Sequence, residues 1–441
     1  MLNTFRIGGI HPPSNKLSAG KKIIVSALPE QAVIPLAQHI GKPAKAIVKK
    51  GDTVKVGTLI AESDGFISAN VHASVSGKVL KIDDAVDATG YRRPAVFIDV
   101  EGDEWDGQID KTDTLIETIN LSSEEIIAKV AKAGIVGLGG ATFPTHVKLS
   151  PPSEKKANLL ILNAAECEPF LTSDHALIME KGAEIMIGIQ LLMKAIRVEK
   201  AIIGIENNKP DAIAHLQSLS RNYPEIEVYP LKTKYPQGGE KQLIDAITGK
   251  RLKSGTLPID SGVIVQNIGT AFAVYEAVQK NKPLIESIVT VTGKGVENPT
   301  DYIVRVGTPI SQLIEASGGL PENTEKIVSG GPMTGKALVS ENIPVVKGTS
   351  CVLILSKNET ERKEQQNCIR CAKCVSVCSM GLSPYLLMNL SEMALWDKAK
   401  ENNIADCIEC GSCSYTCPAN RALLDYVRLG KRKVNSINLK I

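Results

Sequence analysis

Cys368, Cys371, Cys374 and Cys378 stand in a C-x2-C-x2-C-x3-C run, and Cys407, Cys410, Cys413 and Cys417 repeat it 39 positions later. This duplicated unit constrains the tail of the chain more than any other feature. Disulfides suit it poorly, because cysteines at x2 spacing are awkward to bridge. The N-terminus, "MLNTFRIGGIHPPSNK", also lacks the apolar core of a secretory signal, so a reducing cytoplasm is expected. Structural zinc usually takes two C-x2-C pairs some distance apart, and a three-cysteine run fits a tetrahedral ion badly.

The spacing is that of bacterial ferredoxins, in which three close thiolates hold three corners of an iron–sulfur cubane and the fourth cysteine reaches the other cluster. On that pattern one [4Fe-4S] cluster takes Cys368, Cys371, Cys374 and Cys417. The second takes Cys407, Cys410, Cys413 and Cys378. The intervening "SPYLLMNLSEMALWDKAKENN" reads as helical and would hold the two loops back to back. Pro418 follows Cys417 as in ferredoxins, whereas Ser379 replaces the proline after Cys378; neither residue is a ligand. Cys351, in the apolar "TSCVLIL", reads as core.

Composition narrows the rest. A chain of 441 residues is too long for one ordinary core, and an apolar fraction of 43% describes a soluble globular protein. A net charge of +3, with scattered basic residues and few aromatics, gives no footprint for nucleic acid. The longest apolar runs, "ANLLILNAA" and "EIMIGIQLLMKAI", fall short of the roughly 20 residues that span a bilayer.

The expected fold class is multidomain, α/β and α+β. Residues 1–110 read as short strands broken by Gly-Asp and Ser-Gly turns, similar to the barrel-sandwich of biotinyl and lipoyl carriers. "ESDGFISANVH", from Glu62 to His72, lacks the lysine a carrier acylates, so a structural or docking role is expected. Residues 111–295 alternate apolar strands with helical patterns, as in a sheet covered by helices. Ser122 and Glu125 form a capping box there, and Gly134 supplies a stop. Residues 296–357 read as a small β-grasp-like module, and 358–441 as the cysteine-bearing, two-cluster ferredoxin-like domain.

In the α/β part, "GIVGLGGATFPTHVKL" clusters Gly137, Gly139 and Gly140 after a helix, not after the strand a Rossmann fingerprint needs. Such a loop lays amides around a phosphate, with Lys148 adding charge, or is an ordinary tight turn. "NAAECEP" puts Asn163, Glu166 and Glu168 beyond a strand's C-terminal end, where open α/β sheets bind ligands. "KYPQGGEKQL" adds Tyr235, Gly238 and Glu240, and "VQNIGT" adds Asn267.

In this order the motifs resemble the flavin- and NADH-binding subunit of respiratory complex I. With "GGIHPP" ahead and the eight-cysteine tail behind, the whole chain is similar to the C-subunit family of Rnf-type, membrane-bound, ion-translocating ferredoxin:NAD oxidoreductases. The resemblance implies noncovalent FMN contacted by Gly137, Gly139, Gly140, Lys148, Asn163, Glu166, Tyr235, Gly238, Glu240 and Asn267. It implies NAD(H) contacts at Glu168, Phe143 and Lys253, two [4Fe-4S] clusters, and a peripheral place on the cytoplasmic face of the membrane. Other subunits of the complex, including an iron–sulfur ferredoxin-like one, are the implied partners. Leu138 stands where complex I has an arginine, and Ala165 where it has an acid. The β-grasp-like piece resembles the soluble-ligand-binding module of both families. A flavin between hydride and single-electron chemistry needs no general base, and His146 and His175 read as structural. The competing readings are a diaphorase subunit of a hydrogenase or complex I, and a nucleotide-free iron–sulfur adaptor.

Overall fold

The computed structural model describes residues 2–438. Alternating apolar residues in the first hundred close two small antiparallel sheets. One orders Gln31–Pro35, Arg92–Val100, Gly77–Val86 and Thr53–Val54, and the other Lys45–Ala46, Leu59–Glu62 and Val71–His72. Their inward faces bury Ala32, Ile34, Ile60, Val79, Val96 and Ile98. Residues 2–25 pair outside these two sheets. Asn3 bridges Leu231 and Ile10 bridges Tyr235, while Ile24–Val25 pairs with Tyr302 and Ile303. Short apolar segments carry no signal for which sheet they join.

The second module opens with helix Ser123–Lys132. Ser122 Oγ accepts the Glu125 N–H, and the Glu125 carboxylate accepts the Ser122 N–H at 2.7 Å, the capping box expected. Gly134, at φ +63°, ends it. Four parallel strands follow, ordered Ile226–Leu231, Ala201–Glu206, Leu159–Ala164 and Val263–Asn267. Helices Ser173–Ile196 and Ile268–Gln279 cross so closely that a Cβ on Gly188 would lie 2.0 Å from the Ala271 carbonyl oxygen. From Leu159–Ala164 the chain winds outward through two strands, then returns to the other side for Val263–Asn267. Such a reversal opens a crevice at the strands' C-terminal ends.

A six-stranded sheet makes the third module, ordered Ile24–Val25, Thr300–Arg305, Glu286–Thr292, Cys351–Ser356, Thr324–Ser329 and Lys336–Ala337. Glu286–Thr292 was expected in the α/β part ending at 295. It pairs instead with Thr300–Arg305 and Cys351–Ser356, so the expected boundary cuts a sheet. Lys347 ties three modules together: its ammonium donates to the Asn70 and Gly134 carbonyls, each at 2.7 Å, and its N–H to Gln38 Oε1 at 2.9 Å. Burial alone pulls this lysine down to about 7.

In the tail, helices Pro384–Glu392, Trp396–Glu401 and Leu423–Asn438 surround Leu387, Leu390, Ile404, Val427 and Val434. The first two occupy the stretch read as helical. Among the described residues, no helix is long and apolar enough to cross a membrane.

Candidate functional site

The crevice is built on two asparagines. Asn163 and Asn267 end adjacent parallel strands and stand in register. Asn267 Oδ1 accepts the Gly269 N–H at 2.8 Å, capping helix Ile268–Gln279, and its Nδ2 donates to Asp174 at 2.8 Å. Asn163 Nδ2 donates to the Gly238 carbonyl at 2.9 Å, and its Oδ1 accepts the Ala165 N–H at 3.2 Å. Side chains that spend their hydrogen bonds on the framework hold the strand ends rigid. Gly139 lies against Asn267 so tightly that a Cβ there would come within 2.9 Å of the Asn267 Cβ. Leu138 N–H donates to Thr270 Oγ1 at 3.0 Å, which anchors the glycine loop over the helix N-terminus. The Gly269 and Thr270 amides are taken by Asn267 Oδ1, so what favours an anion here is the helix dipole and the remaining amides of the glycine loop.

A cleft of about 760 Å³ opens above these residues, toward the upper end of the roughly 300–1,000 Å³ found for small-molecule sites. Glu166, at φ +45°, accepts the Asp174 N–H through Oε1 at 2.7 Å, while its buried Oε2 has no hydrogen-bond partner. Lys16 Nζ lies 3.8 Å from that oxygen and donates instead to the Glu166 and Glu168 carbonyls, at 2.9 and 3.0 Å. Burial, then the Glu166 charge, push the Asp174 carboxyl up to about 7. Burial likewise raises Glu168, which accepts the Met333 N–H at 3.2 Å and the Thr334 hydroxyl. An orphaned carboxylate oxygen in an otherwise satisfied pocket suits a ligand that donates hydrogen bonds, as a flavin ring or a ribose does.

The cysteines form two unequal groups. Cys378, Cys407, Cys410 and Cys413 line one apolar cavity beneath Leu387, Leu424 and Val427, so the fourth cysteine of this group comes from the other run. Burial pushes Cys407 up to about 11 and Cys413 up to about 12. Thiolates there need a cation beside them, which cluster iron would provide. Cys374 has Cys417 and Cys368 as near neighbours, again across the two runs. Cys368 and Cys371 are exposed. Among the described residues no three His, Cys, Asp or Glu side chains converge on a single ion; in a cubane each thiolate binds a different iron.

The cleft and the cavity share a wall. Glu409 lines the cleft, Cys410 lines the cavity, and the Tyr235 hydroxyl donates to the Cys410 carbonyl at 2.8 Å. A Cβ on Gly411 would lie 3.0 Å from the Met333 carbonyl oxygen. Gly8 packs on Cys378 from the other side, with the Gly9 N–H bonded to the Val377 carbonyl at 2.9 Å.

Of the residues expected to bind nucleotide, Gly139, Gly140, Asn163, Glu166, Gly238 and Asn267 line the cleft, as does Glu168. Gly137 and Phe143 brace the loop's base through a 2.9 Å hydrogen bond. Lys148 and Glu240 pair with each other at 2.8 Å, and Tyr235 faces the cysteines. None of these five lines the cleft. Lys253 lies on a separate cleft beside Met380 and Asp406, contrary to its expected NADH contact. It follows helix Glu240–Thr248, whose nine residues carry the chain roughly 13 Å from the end near the crevice. Sequence reasoning missed Asp174, Lys16 and the Ser329–Lys336 segment. Lys16 and residues 329–336 reach the site from distant sequence, Asp174 lies eight residues beyond Glu166 at the start of the next helix, and only the "SGGPMTGK" glycines carried a signal.

Residues 130–276 match the family described as the Nuo51 FMN-binding domain, residues 4–103 the RnfC barrel sandwich hybrid domain, and residues 288–337 the SLBB domain. The chain is 45% identical to the C subunit of the proton-translocating ferredoxin:NAD(+) oxidoreductase complex of Clostridium ljungdahlii, over 97% of this chain and 93% of that protein. It is 46% identical to the Na(+)-translocating counterpart of Acetobacterium woodii, over 98% and 97%. To the C subunit of the ion-translocating oxidoreductase complex of Rhodobacter capsulatus it is 41% identical, over 88% and 75%. An air-oxidized NAD+-reducing [NiFe]-hydrogenase shares the fold, with TM-score 0.50 and 18% identity, over 71% of this chain and 66% of that one.

Proposed function

Given that the chain belongs to the C-subunit family of ion-translocating ferredoxin:NAD(+) oxidoreductase complexes, we propose how its residues divide the work. The chain is an electron-transfer subunit linking NAD and ferredoxin, and an NADH-dependent oxidoreductase component of a multi-subunit complex. FMN belongs in the cleft, held by Gly139, Gly140, Asn163, Glu166, Gly238 and Asn267. Bound there, it would convert a two-electron hydride into single electrons. The glycine loop and the capped helix N-terminus take its phosphate, and the unmatched Glu166 Oε2 accepts from its ring or ribityl chain.

Two [4Fe-4S] clusters are held by Cys378, Cys407, Cys410 and Cys413, and by Cys368, Cys371, Cys374 and Cys417. The first set is the inner one, half-buried and bordering the cleft. The second is the outer one and faces an iron–sulfur, ferredoxin-like subunit. Glu168 serves the nicotinamide end by fixing the Met333–Thr334 segment over the cleft. The chain sits peripherally on the cytoplasmic face of the membrane. Its domains end near residues 110 and 357, with the boundary between the second and third moved ahead of Glu286.

The observation that carries this reading is the shared wall at Glu409 and Cys410. A nucleotide-free adaptor gives no reason for an acid-lined cleft against that wall. The test is anaerobic NADH titration of the full chain. Bleaching of bound flavin with ferricyanide reduction supports the reading, and purified chain that neither binds FMN nor oxidises NADH refutes it.

A further inference from the structure

The barrel lacks a carrier's lysine, yet it reaches the nucleotide cleft. Its longest strands, Gly77–Val86 and Arg92–Val100, form a hairpin whose tip leaves the barrel. Val86 and Ala88 pack on the core of the third module, and Asp87, Ala88 and Thr89 line the same cleft as the glycine loop. The tip is a built turn: Asp87 Oδ1 accepts the N–H groups of Thr89 at 2.7 Å and Tyr91 at 3.3 Å. Lys336, paired in register with Ser329, lines the cleft from the third module.

The charges of this lining are lopsided. Asp87, Glu166, Glu168, Asp174 and Glu409 contribute carboxyls, three of them met from behind by Arg93, Lys16, Arg428 and Lys431, whereas Lys336 contributes the one ammonium or guanidinium of the lining itself among the described residues. Lys336 is exposed, and no ion pair holds it among the described residues. A dinucleotide brings a pyrophosphate into this cleft, and in acidic surroundings that group needs a cation. The inner anion site, at the helix N-terminus, is taken by the flavin phosphate. The nicotinamide must lie inward with the flavin, so the adenylate half points outward, to the rim where the barrel tip and Lys336 stand.

We propose that Lys336 and the barrel's Asp87–Thr89 tip form the outer subsite for the ADP half of NAD(H), with the Lys336 ammonium on the pyrophosphate. This rests on the nucleotide reading above. The role of the barrel is then to wall the substrate cleft.

The test compares NADH, ADP-ribose and reduced nicotinamide mononucleotide, which lacks the adenylate half, on the FMN- and iron-loaded full chain. Lys336→Gln should raise the KM for NADH and the calorimetric Kd for ADP-ribose about tenfold, with kcat within about twofold. Lys336→Arg should restore both, and the KM for the mononucleotide should move less than about twofold. Thr89→Glu, which adds charge at the exposed tip, should weaken ADP-ribose in the same sense. Unchanged ADP-ribose affinity in Lys336→Gln, or an equal loss with the mononucleotide, overturns the subsite. Unchanged ADP-ribose affinity in Thr89→Glu overturns the barrel's part. An unmutated chain that binds neither ADP-ribose nor NADH overturns the nucleotide reading, and the proposal with it.

Discussion

The two cysteine runs share a backbone and differ in their surroundings. Arg370 and Glu409 hold equivalent positions with φ of +55° and +57°; two residues on, Ala372 and Gly411 have φ of +57° and +76°. The duplicated sequence thus sets the same left-handed turns twice. Around the first run, Cys368 and Cys371 meet solvent. Around the second, Met333, Tyr235 and the helix Leu423–Asn438 close in. Spacing places the thiols, and packing decides which of them lie against the cleft and which meet solvent.

Breaking one run at a time gives the largest expected effects. Cys410→Ser and Cys371→Ser should each lower iron from about eight to about four per chain. Their electron traffic should differ. With Cys410→Ser, NADH should still bleach the flavin but reduce no cluster. With Cys371→Ser, NADH should still reduce the remaining cluster, as seen by paramagnetic resonance. Identical behaviour of the two variants would erase the distinction between inner and outer sets.

Metal removal sharpens the contrast. Under chelator and iodoacetamide at pH 8, Cys368 and Cys371 should be alkylated well before Cys407 and Cys413. Burial pushes both of the latter thiols up, which disfavours the thiolate that alkylation needs. Peptide mapping over time reads the order.

The turn residues offer a subtler comparison. Gly411→Ala forces a side chain to within 3.0 Å of the Met333 carbonyl oxygen, and should cost about 1–2 kcal/mol. Ala372→Gly, in the open copy, should move Tm by less than about 2 °C. Calorimetry of the holo-chain distinguishes them.

Much of this was legible in the residues. The cysteine spacing foretells that thiols of the two runs gather, and the "ILNAAECEP" and "VQNIGT" motifs mark strand ends where a crevice must open. Side-chain direction was not legible. Lys148 and Glu240 look like cofactor contacts in sequence, but face each other as an ion pair. Lys16 enters from 150 residues before Glu166 to bind its carbonyl. No local pattern announces such a partner, and the same holds for Glu286–Thr292, an apolar strand equally suited to either sheet.

A small effect of another kind leaves both runs intact and perturbs only the cleft. The Asp174 carboxyl titrates at about 7 in the fold against roughly 3.9 unfolded. The folded chain therefore binds more protons than the unfolded one between those values, and stability falls as pH rises through that window. Asp174→Asn in FMN-free chain should raise Tm at pH 8 by about 2–4 °C and change little at pH 4. A Tm gain that is the same at both pH values would contradict the burial of this carboxyl.

The most direct test of two unequal cages beside one nucleotide cleft is paramagnetic resonance of the NADH-reduced full chain, with iron counted on the same sample. The account predicts about eight irons and two cubane signals, one broadened by a water-soluble dysprosium complex and the other unaffected. About four irons, zinc in their place, or equal broadening of both signals would contradict it.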